Sequence, residues 1–237
     1  MVATTAPTES LAGNVCCKVI NSIGKFFKAA SGRRAGSETI FHPTEKCPDC
    51  GTPLMRVEET WRCTNLDCPA QLRARIDHWC SPGAMDIAGG DAAFVAVLVD
   101  NGLVRDVAEL YRLKVREIAA LQGMNKDSAQ KFLDAITASR KRDAWRVLFG
   151  LSIPQVGAVE AKSLCRHFAS VDNVFAASAE RLMQADSVSE VVARSIVDWH
   201  SDSVNSKLVV RLYKAGVNFK REEPPLDGGL KLHPFSA

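Results

Sequence analysis

A chain of 237 residues, 46% hydrophobic and 24% charged, can build one large domain or two small ones, and 15 glycines and 10 prolines exclude a fibrous or low-complexity chain. A net charge of +3 is too slight for a global field to hold a polyanion, so such a partner has to be gripped by local patches. The longest uncharged apolar run, 92–99, is eight residues where a membrane helix needs about 20. Residues 1–10 carry no basic stretch ahead of an apolar one, so no signal peptide is expected.

In chain order, residues 1–14, rich in Thr, Ala and Ser, read as a disordered tail. Residues 15–40 read as a basic amphipathic helix and linker, with apolar positions at helical spacing as far as Ala30 and a basic stretch, SGRRAG, after it. Cys16 and Cys17 read as free thiols. Four cysteines then crowd into 41–80. From 69 the pattern turns helical, with short helices expected at 69–79, 91–100, 106–111, 115–121, 127–140, 143–151, 157–168, 172–177, 179–185, 189–200 and 203–215. Asp106, Asp127, Asp143, Asp172, Ser178 and Ser189 are the expected N-caps. Many short helices joined by tight turns make a compact array rather than a long bundle, so the fold class is mainly α. Residues 221–237, with three prolines and two glycines, read as a second disordered tail.

Cys47, Cys50, Cys63 and Cys68 follow the spacing Cys-x2-Cys, twelve residues, Cys-x4-Cys. Pro48 restricts the chain after the first thiolate, and Gly51 permits the turn that faces backbone amides toward sulfur. Four thiolates suit a closed tetrahedral zinc site, structural because no coordination position is left for a substrate. An iron–sulfur cluster or four buried free cysteines are the alternatives. His42 and His78 read as surface or packing residues rather than ligands.

Cys47-Pro-Asp-Cys-Gly51, Arg62-Cys63-Thr-Asn65, Cys68-Pro-Ala-Gln71, His78-Trp79 and Ala84-Met-Asp-Ile87 together resemble the zinc finger of bacterial NAD-dependent DNA ligases, running into that family's tandem helix-hairpin-helix domain. Asn101-Gly-Leu-Val104, Ala108-Glu-Leu-Tyr111, Lys126 to Gln130, Leu148 to Val156, Ala161-Lys162 and Ala215-Gly-Val217 continue the match through about residue 220. The resemblance implies a zinc finger over 41–80 and a tandem helix-hairpin-helix domain over 81–220; for 15–40 a remnant of an OB-fold, an interaction helix and a weak membrane-surface helix stay open. It also implies what to look for and not find. The family's adenylation lysine lies in Lys-x-Asp-Gly. The sole Asp-Gly of this sequence is Asp227-Gly228, with Pro225 two residues before the aspartate. NAD is therefore not expected to bind, no catalytic residue is assigned, and the chain alone is expected not to ligate.

In such a hairpin a Gly-x-Gly turn bares backbone amides, which together with the next helix's N-terminus hold one phosphate. The contact carries no sequence information. Four units align: Ile87 to Asp91, Leu121 to Asn125, Leu151 to Gly157 (with Ser152 at the first glycine position) and Ala185 to Ser189. Asp91, Asp127 and Asp186 put negative charge where a phosphate belongs, and family lysine positions are Ala93 and Asp127. The second and third units are therefore the expected DNA contacts, through Gly123, Asn125, Val156 and Gly157, with Arg140, Lys141, Arg142 and Lys162 on the phosphate backbone. Asn125 is able to adopt the left-handed conformation, which would preserve the second turn, and Gly157 is expected to be required so that no Cβ blocks the phosphate. Trp145, Phe149, Phe168 and Phe175 read as core. The expected partner is double-stranded DNA, nicked or distorted forms included, in the cytoplasm and at the nucleoid, with no membrane partner. Two further readings stay open: the DNA-binding half of a split ligase working with an adenylation-domain protein, and a degenerate paralogue that binds protein.

Overall fold

A computed structural model of the chain describes residues 45–220, apart from 58, 59 and 66. The expectations for both tails, 15–40 and His42 lie outside these residues. A two-stranded antiparallel hairpin, β1 (Leu54–Val57) and β2 (Thr60–Cys63), sets Leu54 opposite Cys63. Ten helices follow: α1 (Pro69–Cys80), α2 (Ala92–Asp100), α3 (Val115–Ala119), α4 (Lys126–Ser139), α5 (Ala144–Gly150), α6 (Ala158–Phe168), α7 (Val171–Ala176), α8 (Ala179–Leu182), α9 (Glu190–Ser201) and α10 (Ser203–Lys214). The fold is mainly α, as the periodicity implies, and no described helix is long and apolar enough to cross a membrane.

The chain forms two compact units. The first takes in 88–132 and the described residues before 79; the second takes in 79–87 and everything described from 133. In the first, Ile76, Val95, Leu98, Leu110 and Ile118 are fully buried, and Phe94 meets Phe132 edge-on at 4.9 Å. In the second, α6 packs against α5 and α7, and α9 against α8 and α10. The reason is visible in α6. Ala161, Leu164, Cys165 and Phe168 recur at helical spacing and are all buried, so one stripe of the helix faces the core. Trp79, Leu148, Leu182, Ile196 and Leu212 complete that core. Phe168 is buried as expected; Trp145, Phe149 and Phe175 are only half-buried.

Local capping corrects several expected boundaries. The side chain of Asn125, not Asp127, caps α4 by accepting from Ser128 N at 2.8 Å. Ser170, not Asp172, caps α7 by accepting from Asn173 N. Asp143 precedes α5 but accepts from Trp145 Nε1 instead of a helix amide. The helix expected at 106–111 is a 3-10 turn over Glu109–Arg112, with the Asp106 carboxylate accepting from the amides of Ala108 and Glu109. Ser178 and Ser189 cap α8 and α9 as expected.

Candidate zinc centre and nucleic-acid interface

The first knuckle is shaped by its backbone. Gly51 N donates to Cys47 O and Cys47 N to Thr52 O, each at 2.8 Å, and Gly51 takes the left-handed conformation (φ +71°) that closes the turn. The register of β1 and β2 then brings Cys63 to the start of β1, and Cys68 stands immediately before α1. Cys47 Sγ lies 3.7 Å from Cys68 Sγ, Cys50 Sγ lies 3.5 Å from Cys63 Sγ, and all four sulfurs fall within 4.8 Å of one another. A regular tetrahedron with metal–sulfur bonds of about 2.3 Å requires sulfurs about 3.8 Å apart. The donor set therefore fits a closed, structural zinc site, and His78 is not part of the cluster.

The thiols are not equivalent. Hydrogen bonding with the Thr52 side chain, and then its backbone, draws Cys50 down to about 6, whereas burial pushes Cys63 up to about 12 and also raises Cys68. Burial thus favours the neutral thiol at Cys63 and Cys68, and metal binding must drive those protons off. Arg73 of α1 holds the knuckle in place, donating to Asp49 at 2.9 Å and to Asp100 at the end of α2 at 2.8 Å. The sequence reading missed this residue; Asp49 between two ligands was its only trace. The remaining described cysteines, Cys80 and Cys165, are buried core thiols, and burial pushes Cys165 up to about 12.

The hairpins share one geometry that sequence reading did not separate out. Each is a five-residue turn, at 87–91, 121–125, 153–157 and 185–189. Its third residue is left-handed: Gly89 (φ +83°), Gly123 (φ +79°), Gln155 (φ +65°) and Ser187 (φ +63°). In the last three the fourth residue's amide bonds back to the first carbonyl, Met124 to Leu121, Val156 to Ile153 and Val188 to Ala185. The fifth residue opens the next helix: Asp91, Asn125, Gly157 and Ser189. The position equivalent to the first glycine of the third hairpin is thus Gln155, not Ser152, although Ser152 is itself left-handed (φ +54°). The fourth hairpin keeps the turn with no glycine at all. Asn125, able to take the left-handed position, does not; that position is Gly123, and the place of Asn125 is the N-cap.

At three hairpins the fifth residue's own side chain takes a helix amide: Asp91 from Phe94, Asn125 from Ser128 and Ser189 from Val192. Gly157 has no side chain to do so, and no side chain caps the first amides of α6. The Gly157 amide is nevertheless occupied, donating to Glu160 Oε2 at 3.0 Å. Its backbone (φ −90°, ψ −176°) is extended, so Gly157 is not needed for conformational reasons. A Cβ there would meet Glu160 Oε2 at 2.8 Å, the mobile tip of a side chain. Val156 is buried beside it.

The basic residues divide. Lys141 is exposed, and Lys162 Nζ lies 4.5 Å over the Trp145 ring. Arg142 pairs with Asp86 in the second unit, and the carbonyls of Arg140 and Arg142 accept from Asn218, tying the 140–142 turn to the strand-like end of the unit. Arg146, four residues beyond this run, donates to the carbonyls of Pro82, Gly83 and Ala84 and so clamps that loop. Gly123 and Asn125 belong to the first unit, Val156, Gly157, Lys162 and 140–142 to the second.

A four-thiolate finger followed by repeated hairpins of this geometry defines the class: a zinc-finger protein with a tandem helix-hairpin-helix array. Residues 46–70 match the family model of the NAD-dependent DNA ligase C4 zinc finger domain, and 146–209 match that of the helix-hairpin-helix motif. Among curated relatives, the DNA ligase of Rubrobacter xylanophilus is 40% identical over 92% of this chain and 32% of its own length. That of Methylacidiphilum infernorum is 40% identical over 79% and 27%, and that of Koribacter versatilis 41% over 76% and 27%. Over these residues the chain is similar to the zinc-finger and helix-hairpin-helix portion of NAD-dependent DNA ligases, and it spans about a third of the length of the relatives it matches.

Proposed function

We propose that the chain is a sequence-independent module that binds duplex DNA, nicked or distorted forms included, in a repair or replication setting at the nucleoid. The observation that carries this reading is the hairpin at 153–157. It combines the left-handed turn with a glycine N-cap, so no N-cap side chain covers the first amides of α6, and a phosphate has only Glu160, held on the Gly157 amide, to displace. Gly123 supplies the second contact from an exposed turn, and Lys141 and Lys162 add counter-charge. Asn125, Arg140 and Arg142 are secondary, because each is already engaged within the fold. A zinc finger over 41–80 and a hairpin domain over 81–220 divide the work: the metal fixes the first segment, the hairpins hold DNA.

On this reading the chain does not ligate alone, since no residue of the sequence supplies the adenylation lysine. Incubation with radiolabelled NAD should leave no adenylate on the protein; a covalent adenylate would overturn this part. An adenylation-domain protein is the partner that a split ligase would need. A protein-binding paralogue is the second reading, favoured by the carboxylates of Asp91 and Glu160 at hairpin amides. Binding to nicked and intact duplexes over a salt series separates them: DNA binding predicts an affinity that falls with salt for both duplexes, protein binding predicts none.

A further inference from the structure

A second anionic site is written into the segment that joins the first two hairpins. Between α2 and α3 the chain runs from Asn101 to Lys114, and a depression of about 460 Å³ opens there, lined by Gly102, Arg105, Glu109, Arg112, Lys114 and Glu117 among others. Both signs occur along this stretch, Arg105, Arg112 and Lys114 against Asp106 and Glu109, so it carries only a slight positive balance on paper. The fold sorts them. Glu109 turns in to accept from Arg105 N at 2.7 Å, and Glu117 to accept from Lys114 N at 2.9 Å. Asp106 accepts from two amides, and Asp100 is held by Arg73. Every acid of the segment is thus engaged by a donor of the protein. The cationic heads are treated oppositely. Arg105, Arg112, Lys114 and Arg116 are exposed, and among the described residues none has a carboxylate within ion-pairing distance.

We propose that this depression binds a phosphate group through Arg105, Arg112 and Lys114, independently of the hairpins. Two guanidinium forks and an ammonium on one concave surface match a tetrahedral oxyanion better than a lone carboxylate. The site is not a hairpin contact. α2 begins at the first hairpin and the depression lies past its other end, nine residues or about 13 Å away. α3 likewise starts at the depression and ends at the second hairpin. The phosphate can come from a nucleic-acid backbone or from a free phosphorylated small molecule; both offer the same oxyanion.

The test uses the full zinc-loaded chain. Pyrophosphate is titrated against constant ionic strength, with amide NMR shifts as the readout and sodium chloride as the control. Saturable shifts at residues 102–117, absent with chloride and lost in Arg112→Gln/Lys114→Gln, are the expected result. Both substitutions are on exposed side chains, and circular dichroism verifies their fold. Duplex binding by the same double variant identifies the source. A loss of affinity with a salt slope smaller by about two points to backbone phosphate, and unchanged duplex binding points to a free phosphate compound. Absence of a saturable pyrophosphate response in the wild-type chain overturns the proposal, whatever the duplex result. Failure of duplex binding alone touches only the proposed function.

Discussion

Cys63 and Cys68 illustrate how much a single residue commits the finger. Both are buried, and burial raises their thiols and penalises the thiolate that a metal requires, so the site is a mismatch of polar sulfur and low dielectric until a dication enters. Cys63→Ser should therefore lose the metal and melt the knuckle and β1–β2 while the second unit keeps its helices. Metal analysis with circular dichroism checks it; full zinc retention by the variant would refute the ligand set. Glu160 is the other residue with a disproportionate role. Its carboxylate sits on the Gly157 amide, where a phosphate would approach. Glu160→Gln removes that charge, so affinity for duplex should rise, while the loss of an acid at the start of α6 costs about 0.3–1 kcal/mol of stability. Unchanged or weaker binding would show that Glu160 and DNA do not compete.

Among elements, the hairpins were partly legible in the sequence and partly not. Helix periodicity and caps placed most helices within two residues, because alternating burial on a short helix leaves a clear stripe, as at 161, 164, 165 and 168. The four-cysteine spacing was legible because metal geometry allows few alternatives. Turn equivalence was not. Glycine was the signal sought, and the left-handed position of two hairpins is held by Gln155 and Ser187, residues that tolerate it only because the surrounding helices fix the turn. Capping competition was equally hidden: Asn125 and Asp127, or Ser170 and Asp172, are alike in composition, and only packing decides between them. Gly150 shows a constraint of a different kind. A Cβ there would lie 2.8 Å from Trp79 Cε3, and Trp79 is fully buried with nowhere to move. Gly150→Ala gains helix propensity of about 1 kcal/mol but overpacks the core by about 1–3 kcal/mol. The expected outcome is a net loss of up to about 2 kcal/mol in a denaturant titration; a stabilised variant would mean the α1–α5 contact is looser than the geometry states.

For the whole molecule, the division between a metal-fixed finger and a hairpin array makes a specific demand on the interface: binding should depend on the uncapped start of α6 and not on stability. Gly157→Asp separates the two. Asp is a good N-cap, Gly157 is in an extended conformation that any residue adopts, and so the variant should be as stable as the wild type or more so by a few tenths of a kcal/mol. Its carboxylate, however, would take the α6 amides and repel phosphate. The decisive measurement is therefore the affinity of wild-type and Gly157→Asp chains for one intact duplex across a salt series, with thermal melts of both. Salt-dependent binding by the wild type, lost in Gly157→Asp at undiminished melting temperature, is the expected result. Equal binding by the two chains, or no salt-dependent binding by the wild type at low ionic strength, would contradict it.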